Sequence, residues 1–283
     1  LAALEADLAG YSGLVSFNGK SFDWPLMETR FRLSRRRAPL SGVPHLDLLH
    51  PARRMWRERL YTCTLQSLEA EILGVRRQGD VPGHLIPSLY FDYLRTGDLA
   101  PLLPVIRHNR LDILSLVSLA GWLGHILTDP LGAGPDGELL CGDDLYALGK
   151  LHEARGRLLE SVACFEAARE RGLAGVSQAA LLRRLAAGYN RLREQEQAVA
   201  LWRQMAASEG TLSIYPFVEL AKYYEHVTRS YDLAAEMTEQ ALAIAQRRRS
   251  LADTGDPAAA REVQALQHRL ARIRRKQSRT LQA

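Results

Sequence analysis

The sequence predicts an α/β domain over residues 1–127, followed by an all-α domain built from repeated helix pairs. Three observations support this. Two short apolar runs, Leu14–Phe17 and the stretch from His45 to Leu49, alternate with longer helical patterns, as strands buried in an α/β sheet do. A stretch rich in Gly, Pro and Asp then interrupts the chain at 128–142 and predicts a linker. Beyond it, matching helical positions recur at a near-constant interval: Phe165, Trp202 and Thr238 stand 37 and 36 residues apart.

Composition sets the class. At 283 residues, 47% hydrophobic and 24% charged, the chain suits a globular protein of two domains. No apolar run is expected to reach the length of a membrane span and no signal-peptide pattern opens the chain, so a cytoplasmic protein without a membrane partner is expected. Cys63, Cys141 and Cys164 form no CxxC pair, which argues against a zinc site or a disulfide framework. The opening LAALEADLAG reads as the tail of a helix whose earlier part is missing, so a truncated N-terminus is expected. Charge is uneven. Residues 1–127 carry 15 Lys and Arg against 12 Asp and Glu, residues 128–246 carry 12 against 17, and residues 247–283 carry 10 against 3. A polyanion would therefore meet the first part or the tail.

Within the first domain, residues 1–10 read as a helix closed by Gly10. The strand at Leu14–Phe17 is broken by Asn18-Gly19, and a helix begins near Ser21 and runs to about Leu33. Asp23 falls in its first turn and Pro25 at an early position, where a missing N–H costs little. Asp23 either caps this helix or serves chemistry at the end of a strand, where open α/β sheets keep their sites. Arg30, Arg32, Arg35, Arg36 and Arg37 form a basic cluster that suits solvated surface or phosphate tracking.

His45-Leu-Asp-Leu-Leu-His50 predicts a second buried strand leading into a helix. His45, Asp47 and His50 are all potential metal ligands, but on a strand only 45 and 47 share a face. A structural Asp47 that organises the strand end fits better. Helices are predicted over 51–60, with Pro51 at the start; over Thr64–Leu73, with Gly74 as its stop; and over Ile86–Leu94, whose aromatics are expected in the core. Gly79-Asp-Val-Pro-Gly83 is turn chemistry. Val105–Val117 predicts a largely buried helix with a polar insertion of His108, Asn109, Arg110 and Asp112. Positions 108 and 112 are one turn apart, so His108 and Asp112 share a face. They form either a pair that holds the helix in place or part of a site.

Asn18-Gly19 with Phe22-Asp23, followed by His108-x-x-x-Asp112, resembles the second and third motifs of the DEDD 3′–5′ exonucleases of the RNase H-like superfamily. More closely, Phe17-Asn-Gly-Lys-Ser-Phe-Asp23 and His45-Leu-Asp-Leu-Leu-His-Pro-Ala-Arg-Arg54 resemble the YprB-type RNase H-like domain. Asp80-Val-Pro-Gly83, Tyr93-Leu-Arg-Thr-Gly97 and His108-Asn-Arg-Leu-Asp112 do so too, and the likeness covers about residues 1–127.

That resemblance implies a partial RNase H-like fold whose opening strands are absent, and an exonuclease site in which carboxylates hold two Mg²⁺ or Mn²⁺ ions. By motif position, Asp23 and Asp112 would be metal-binding catalytic carboxylates. His108 would orient or deprotonate the attacking water, and Asn18, Lys20 and Asn109 would contact substrate, a single-stranded or 3′-terminal nucleic acid. His108 stands four residues before Asp112, where one exonuclease subgroup has a tyrosine; the histidine subgroup uses a different spacing. The family's Asp-x-Glu motif does not occur in residues 1–22. The expectation is therefore a fragment with at most vestigial nuclease activity, whose strand at 14–17 has an unpaired edge.

In the second half, Leu148-Gly149 with Phe165 and Ala168, then Ala187, Tyr189, Ala198 and Trp202, then Leu220-Ala221, Tyr224, Ala234 and Ala241 mark three helix pairs. Their period is close to the roughly 34 residues of tetratricopeptide repeats. About three such repeats over 143–249 would present a concave face to an unidentified protein partner. The basic segment 250–283 would be a C-terminal helix or tail. Two functions follow as expectations: a metal-dependent exonuclease domain coupled to a protein-binding array, or a non-catalytic repeat scaffold that carries a degenerate nuclease-like domain.

Overall fold

A computed structural model describes residues 1–132, 139–208, 212–251 and 257–281. The chain divides into two compact units. The first comprises residues 1–154 and 170–176, the second residues 155–169 and 177–283. Of the stretch expected as a linker, residues 133–138 lie outside the described residues, as do 252–256 and 282–283 of the basic segment.

The first unit opens with α1 (Ala2–Leu8), β1 (Leu14–Ser16), α2 (Asp23–Leu33) and β2 (His45–Asp47). β1 and β2 pair in parallel, with Leu14 opposite His45, Val15 opposite Leu46 and Ser16 opposite Asp47. Each β-strand is three residues long, and half of the surface of Val15 and Leu46 stays exposed on the shared face of this pair. Four helices follow: α3 (Leu49–Trp56), α4 (Leu65–Glu71), α5 (Ile86–Thr96) and α6 (Leu103–Thr128). Thr64 caps α4 by accepting a bond from the Ser67 N–H at 3.2 Å. Phe31, Leu48, Ala52, Trp56, Leu68, Leu119 and Ile126 form the buried core.

Three expectations fail here. α6 is not largely buried: Ile106, Ile113, Leu114 and Val117 are exposed, and its buried residues are Ser115, Leu119, Leu123 and Ile126. The aromatics of α5 are not core either, since Tyr90 and Phe91 are exposed. An apolar pattern on all sides of a helix reads as burial, but burial also needs neighbours on every side. The segment Ala100–Thr128 is also long and apolar enough to cross a membrane by length and composition, with a mean hydropathy of 1.5, contrary to the expectation that no run would be. It packs against α4 and carries three polar residues of the cleft described below.

α7 (Gly142–Ala154) completes the first unit and packs on α3. Its first turn holds Asp143, which is buried and accepts the backbone N–H groups of Ala174, Gly175 and Val176 at 3.0–3.2 Å. Gly175 is needed there because a Cβ would lie 2.7 Å from the Glu58 carbonyl oxygen.

The second unit is helical: α8 (Leu158–Arg171, its last two residues lying in the first unit), α9 (Gln178–Arg191), α10 (Gln195–Ala206), α11 (Tyr215–His226), α12 (Tyr231–Leu251) and α13 (Pro257–Leu281). From α9 onward each helix packs on the next. Small residues sit where axes approach. Ala186, Ala198, Ala221, Ala234 and Ala241 are wholly buried, and a Cβ at Gly188 would lie 2.6 Å from Val162. α13 docks through Val263 and Leu266 against Phe217, Ala241 and Ala245. It also docks through charge: Arg269, Arg272 and Lys276 surround the buried carboxylate of Glu225.

Candidate active-site cleft

The end of β1 is held by one buried carboxylate. Asp47 Oδ1 accepts the N–H of Asn18 at 2.7 Å and of Leu49 at 3.1 Å, and Oδ2 accepts the N–H of Lys20 at 3.0 Å. Burial raises the Asp47 pKa, but the bonds from Lys20, Asn18 and Leu49 outweigh it and hold the carboxyl below its ordinary value. This knot fixes the tight turn after β1, where Asn18 adopts a left-handed backbone with φ of 63°. Gly19 follows, and a Cβ there would come within 2.6 Å of the Ser16 side chain. Trp24 N–H bonds to the Gly19 carbonyl at 2.8 Å, so the turn feeds directly into α2 and sets Asp23 at its first residue. Beside it, His45 Nε2 and Ser16 Oγ are 2.7 Å apart, so His45 is engaged across the β-strand pair.

Asp23, His108, Asn109 and Asp112 line one cleft of about 510 Å³, together with Ser16, Phe17, Arg77 and Asp80. Residues separated by some 85 positions therefore share one cavity, with Asp23 supplied by α2 and the other three by α6. Asn18 does not line this cleft. It lines an adjoining groove of about 480 Å³ that shares Phe17 and Leu65 with it. Lys20 lines neither; its contribution is the backbone bond to Asp47.

At one wall stands a charged cluster absent from the sequence expectations. Arg77, with a side chain 5% exposed, makes a two-pronged bond to Glu69 through Nε and Nη2, the Nε contact being 2.7 Å. Glu69 is wholly buried. The same guanidinium donates from Nη2 to Asp112 Oδ1 at 2.5 Å and from Nη1 to Asp80 Oδ2 at 3.2 Å. Burial alone would lower the Arg77 pKa, yet the bonds to Glu69 and Asp112 prevail and hold it above the ordinary value. His108 Nδ1 lies 2.7 Å from Asp80 Oδ1, and its Nε2 lies 3.5 Å from Asp112 Oδ2. Nδ1 also faces Arg77 Nη1, which can only donate, at 3.2 Å; the shorter contact, to the accepting Asp80 carboxylate, favours a proton on Nδ1 and leaves Nε2 bare in the neutral ring. Burial raises the Asp80 pKa, but the bonds from His108 and Arg77 outweigh it and bring it below its ordinary value.

A signal for this cluster existed in the sequence. Glu69 follows Leu68 and lies four residues after Leu65, on the flank of the apolar face of α4 that Leu65, Leu68 and Ile72 define, where an unpaired carboxylate would be costly. Such a position calls for a cation nearby in space, but no spacing rule identifies Arg77 as that cation.

The donor set does not fit a two-metal centre as it stands. Asp112 Oδ1 is taken by Arg77, and among the described residues no group of three or more His, Cys, Asp or Glu side chains is arranged to hold a metal ion.

Residues 1–124 match the RNase_H_2 family of the RNase_H superfamily, and this part of the chain carries an RNase H superfamily domain. Over 269 residues the chain is 34% identical to the uncharacterized protein YprB of Bacillus subtilis (strain 168). That similarity takes in 94% of this chain and 61% of the relative, so the chain spans about three-fifths of the relative's length. No solved structure matches the chain.

Proposed function

We propose that the RNase H superfamily domain of residues 1–124 is a 3′–5′ exonuclease-type module that takes the end of a single-stranded nucleic acid into the cleft of Asp23, His108 and Asp112. The observation that carries this reading is the convergence of these three side chains, from α2 and α6, on one cavity. Their chemistry suits phosphodiester hydrolysis. His108, with its Nδ1 proton held by Asp80, offers Nε2 as a base for a water or hydroxyl nucleophile. Asn109 offers an amide for the sugar or base of a terminal nucleotide. Asp23 and Asp112 are the carboxylates to which the family resemblance assigns Mg²⁺ or Mn²⁺. Arg77 already holds Asp112 Oδ1, which leaves that oxygen engaged rather than open to such an ion.

Residues 1–22 contain no Asp-x-Glu, so turnover by these 283 residues is proposed to be vestigial. The second unit is proposed to be a tetratricopeptide-type array that binds a protein partner. The buried alanines and the order in which successive helices pack support this. A cytoplasmic location is part of the same reading and suits three unpaired cysteines.

The test is an end-labelled single-stranded oligonucleotide followed for binding by anisotropy and for shortening on a gel, with and without Mn²⁺. Binding with at most trace shortening is expected. Robust turnover abolished by Asp23→Ala would overturn the vestigial part, and an absence of any binding would overturn the whole reading. A second reading, a non-catalytic scaffold with a nuclease-like binding module, is favoured by the Arg77–Asp112 ion pair. It predicts binding without shortening even when a complete carboxylate set is restored.

A further inference from the structure

The groove beside the cleft is assigned no role by the chemistry above, and its lining is of the opposite charge. The cleft walls carry Asp23, Asp80 and Asp112, whereas the groove carries Arg53 and Arg57 and no carboxylate. The two cavities meet at Phe17 and Leu65. Arg53 and Arg57 are four residues apart at the C-terminal end of α3, so they project from one helical face. Both are exposed, and neither has an acidic partner within ion-pair distance among the described residues. Their neighbour Arg59, by contrast, is committed to Asp144 at 3.3 Å. Tyr61 also lines the groove, and its surface is fully exposed. Tyr61 therefore offers a bare aromatic face in the same groove as two exposed guanidinium groups.

We propose that this groove is a binding track for single-stranded nucleic acid, in which Arg53 and Arg57 contact successive backbone phosphates and Tyr61 stacks on a base. This inference rests on the nuclease-type reading of the adjoining cleft and adds the route by which the strand reaches it. The combination of a backbone-tracking positive wall and an aromatic platform is what sequence-tolerant single-strand binding requires. A duplex is disfavoured, because stacking on Tyr61 needs an unpaired base. Asn18 sits where groove and cleft adjoin, so its side-chain amide is placed to meet the strand as it passes from one to the other. Cys63 lies in the groove as a built-in reporter. Burial raises its thiol pKa, opposed by the nearby positive charges of Arg53 and Arg57.

The experiment measures anisotropy of a fluorescent oligo-dT and a fluorescent oligo-U with the full chain across a salt series. Arg53→Gln combined with Arg57→Gln is expected to weaken binding about tenfold and to flatten the slope of log K against log salt by about 1.4, the loss of two single-strand phosphate contacts. Tyr61→Ala is expected to weaken binding at least fivefold with the slope unchanged. Arg54→Gln removes a charge from the same helix outside the groove and should change neither. All four side chains are exposed, so folding is not at issue. As an independent readout, saturating oligonucleotide should slow alkylation of Cys63 but not of Cys141. Equal weakening by Arg54→Gln, or unaltered binding by the double variant, overturns the groove while leaving the cleft reading in place. Failure of the unaltered chain to bind either oligonucleotide overturns both.

Discussion

Replacing Asp47 by Asn tests whether one carboxylate sets the geometry that presents Asp23. The wild-type side chain accepts three backbone N–H groups, two on Oδ1 and one on Oδ2. Asparagine keeps a single acceptor. If that oxygen stays with Asn18 and Leu49, the new NH₂ group faces the Lys20 N–H, donor against donor. One bond to a charged acceptor is then lost, worth about 1.5–3 kcal/mol, and a buried donor is left without a partner. The expected loss is about 3 kcal/mol near neutral pH, and Asp47→Ala, which removes all three bonds, should lose more. The sign of the pH dependence follows from the depressed pKa. Stability from the ionised carboxylate is present in full above its unfolded value near 4 and is lost as pH falls through the folded value. The gap between wild type and Asp47→Asn should therefore close on acidification below about pH 4. Urea denaturation followed by tryptophan fluorescence gives the stability. Hydrogen exchange of the Asn18, Lys20 and Leu49 amides locates the loss, and these three should lose protection first. A variant within about 0.5 kcal/mol of wild type at neutral pH, with these amides still protected, would refute the role assigned to Asp47.

Gly19→Ala should cost about 1–3 kcal/mol and weaken oligonucleotide binding, because its Cβ meets Ser16 Cβ at 2.6 Å; Ser16→Gly in the same chain should recover part of the loss, and denaturation of the four members of this cycle measures the coupling. Glu69→Gln should destabilise by about 3–5 kcal/mol, since it leaves the buried Arg77 charge without its two-pronged partner; a thermal melt within a degree or two of wild type would count against this. In the second unit, Glu225 is held at a pKa of about 2, burial being outweighed by the bonds from Arg272 and Lys276. Its contribution of about 3 kcal/mol is complete above its ordinary value near 4.5 and lost as pH falls toward 2, so Glu225→Gln should be much less stable than wild type at neutral pH and nearly equal to it at about pH 2. Urea denaturation at the two pH values, followed by hydrogen exchange of the α11 and α13 amides, checks this.

Local rules made the turn after β1 legible. Asn18-Gly19 marked the break in the chain, Pro25 marked the start of α2, and His45-Leu-Asp47 marked a β-strand ending on a structural carboxylate. The spacing of His108 and Asp112 gave one face of α6, and the motif resemblance placed Asp23 opposite it; one cleft does hold all three. What stayed hidden depends on residues distant in sequence. Arg77 lies in a connection with no periodic pattern, and only the fold brings it between Glu69, Asp80 and Asp112. The exposure of Ile106, Ile113, Leu114 and Val117 was hidden for a related reason: a sequence shows which residues are apolar, but not whether a partner exists to cover them. The helices of the second half were legible because each carries its own small-residue contacts at Ala198, Ala221 and Ala234, a pattern local to about one turn.

On the proposed function, the charges in the first unit divide capture and chemistry between two places. Around the cleft, Asp23, Glu69, Asp80 and Asp112 stand against the single guanidinium of Arg77. Such a wall repels a phosphodiester, and Arg77 cannot offset this because its donors are spent on carboxylates at 2.5–3.2 Å. On the same proposal attraction comes from Arg53 and Arg57 one cavity away, which have no acidic partner among the described residues. The proposal therefore assigns strand capture and strand cleavage to separate residues. Neutralising Arg53 and Arg57 should change affinity and its salt dependence without altering the cleft. Changing Asp23 or Asp112 should leave capture intact or even strengthen it, because a repulsive charge has been removed.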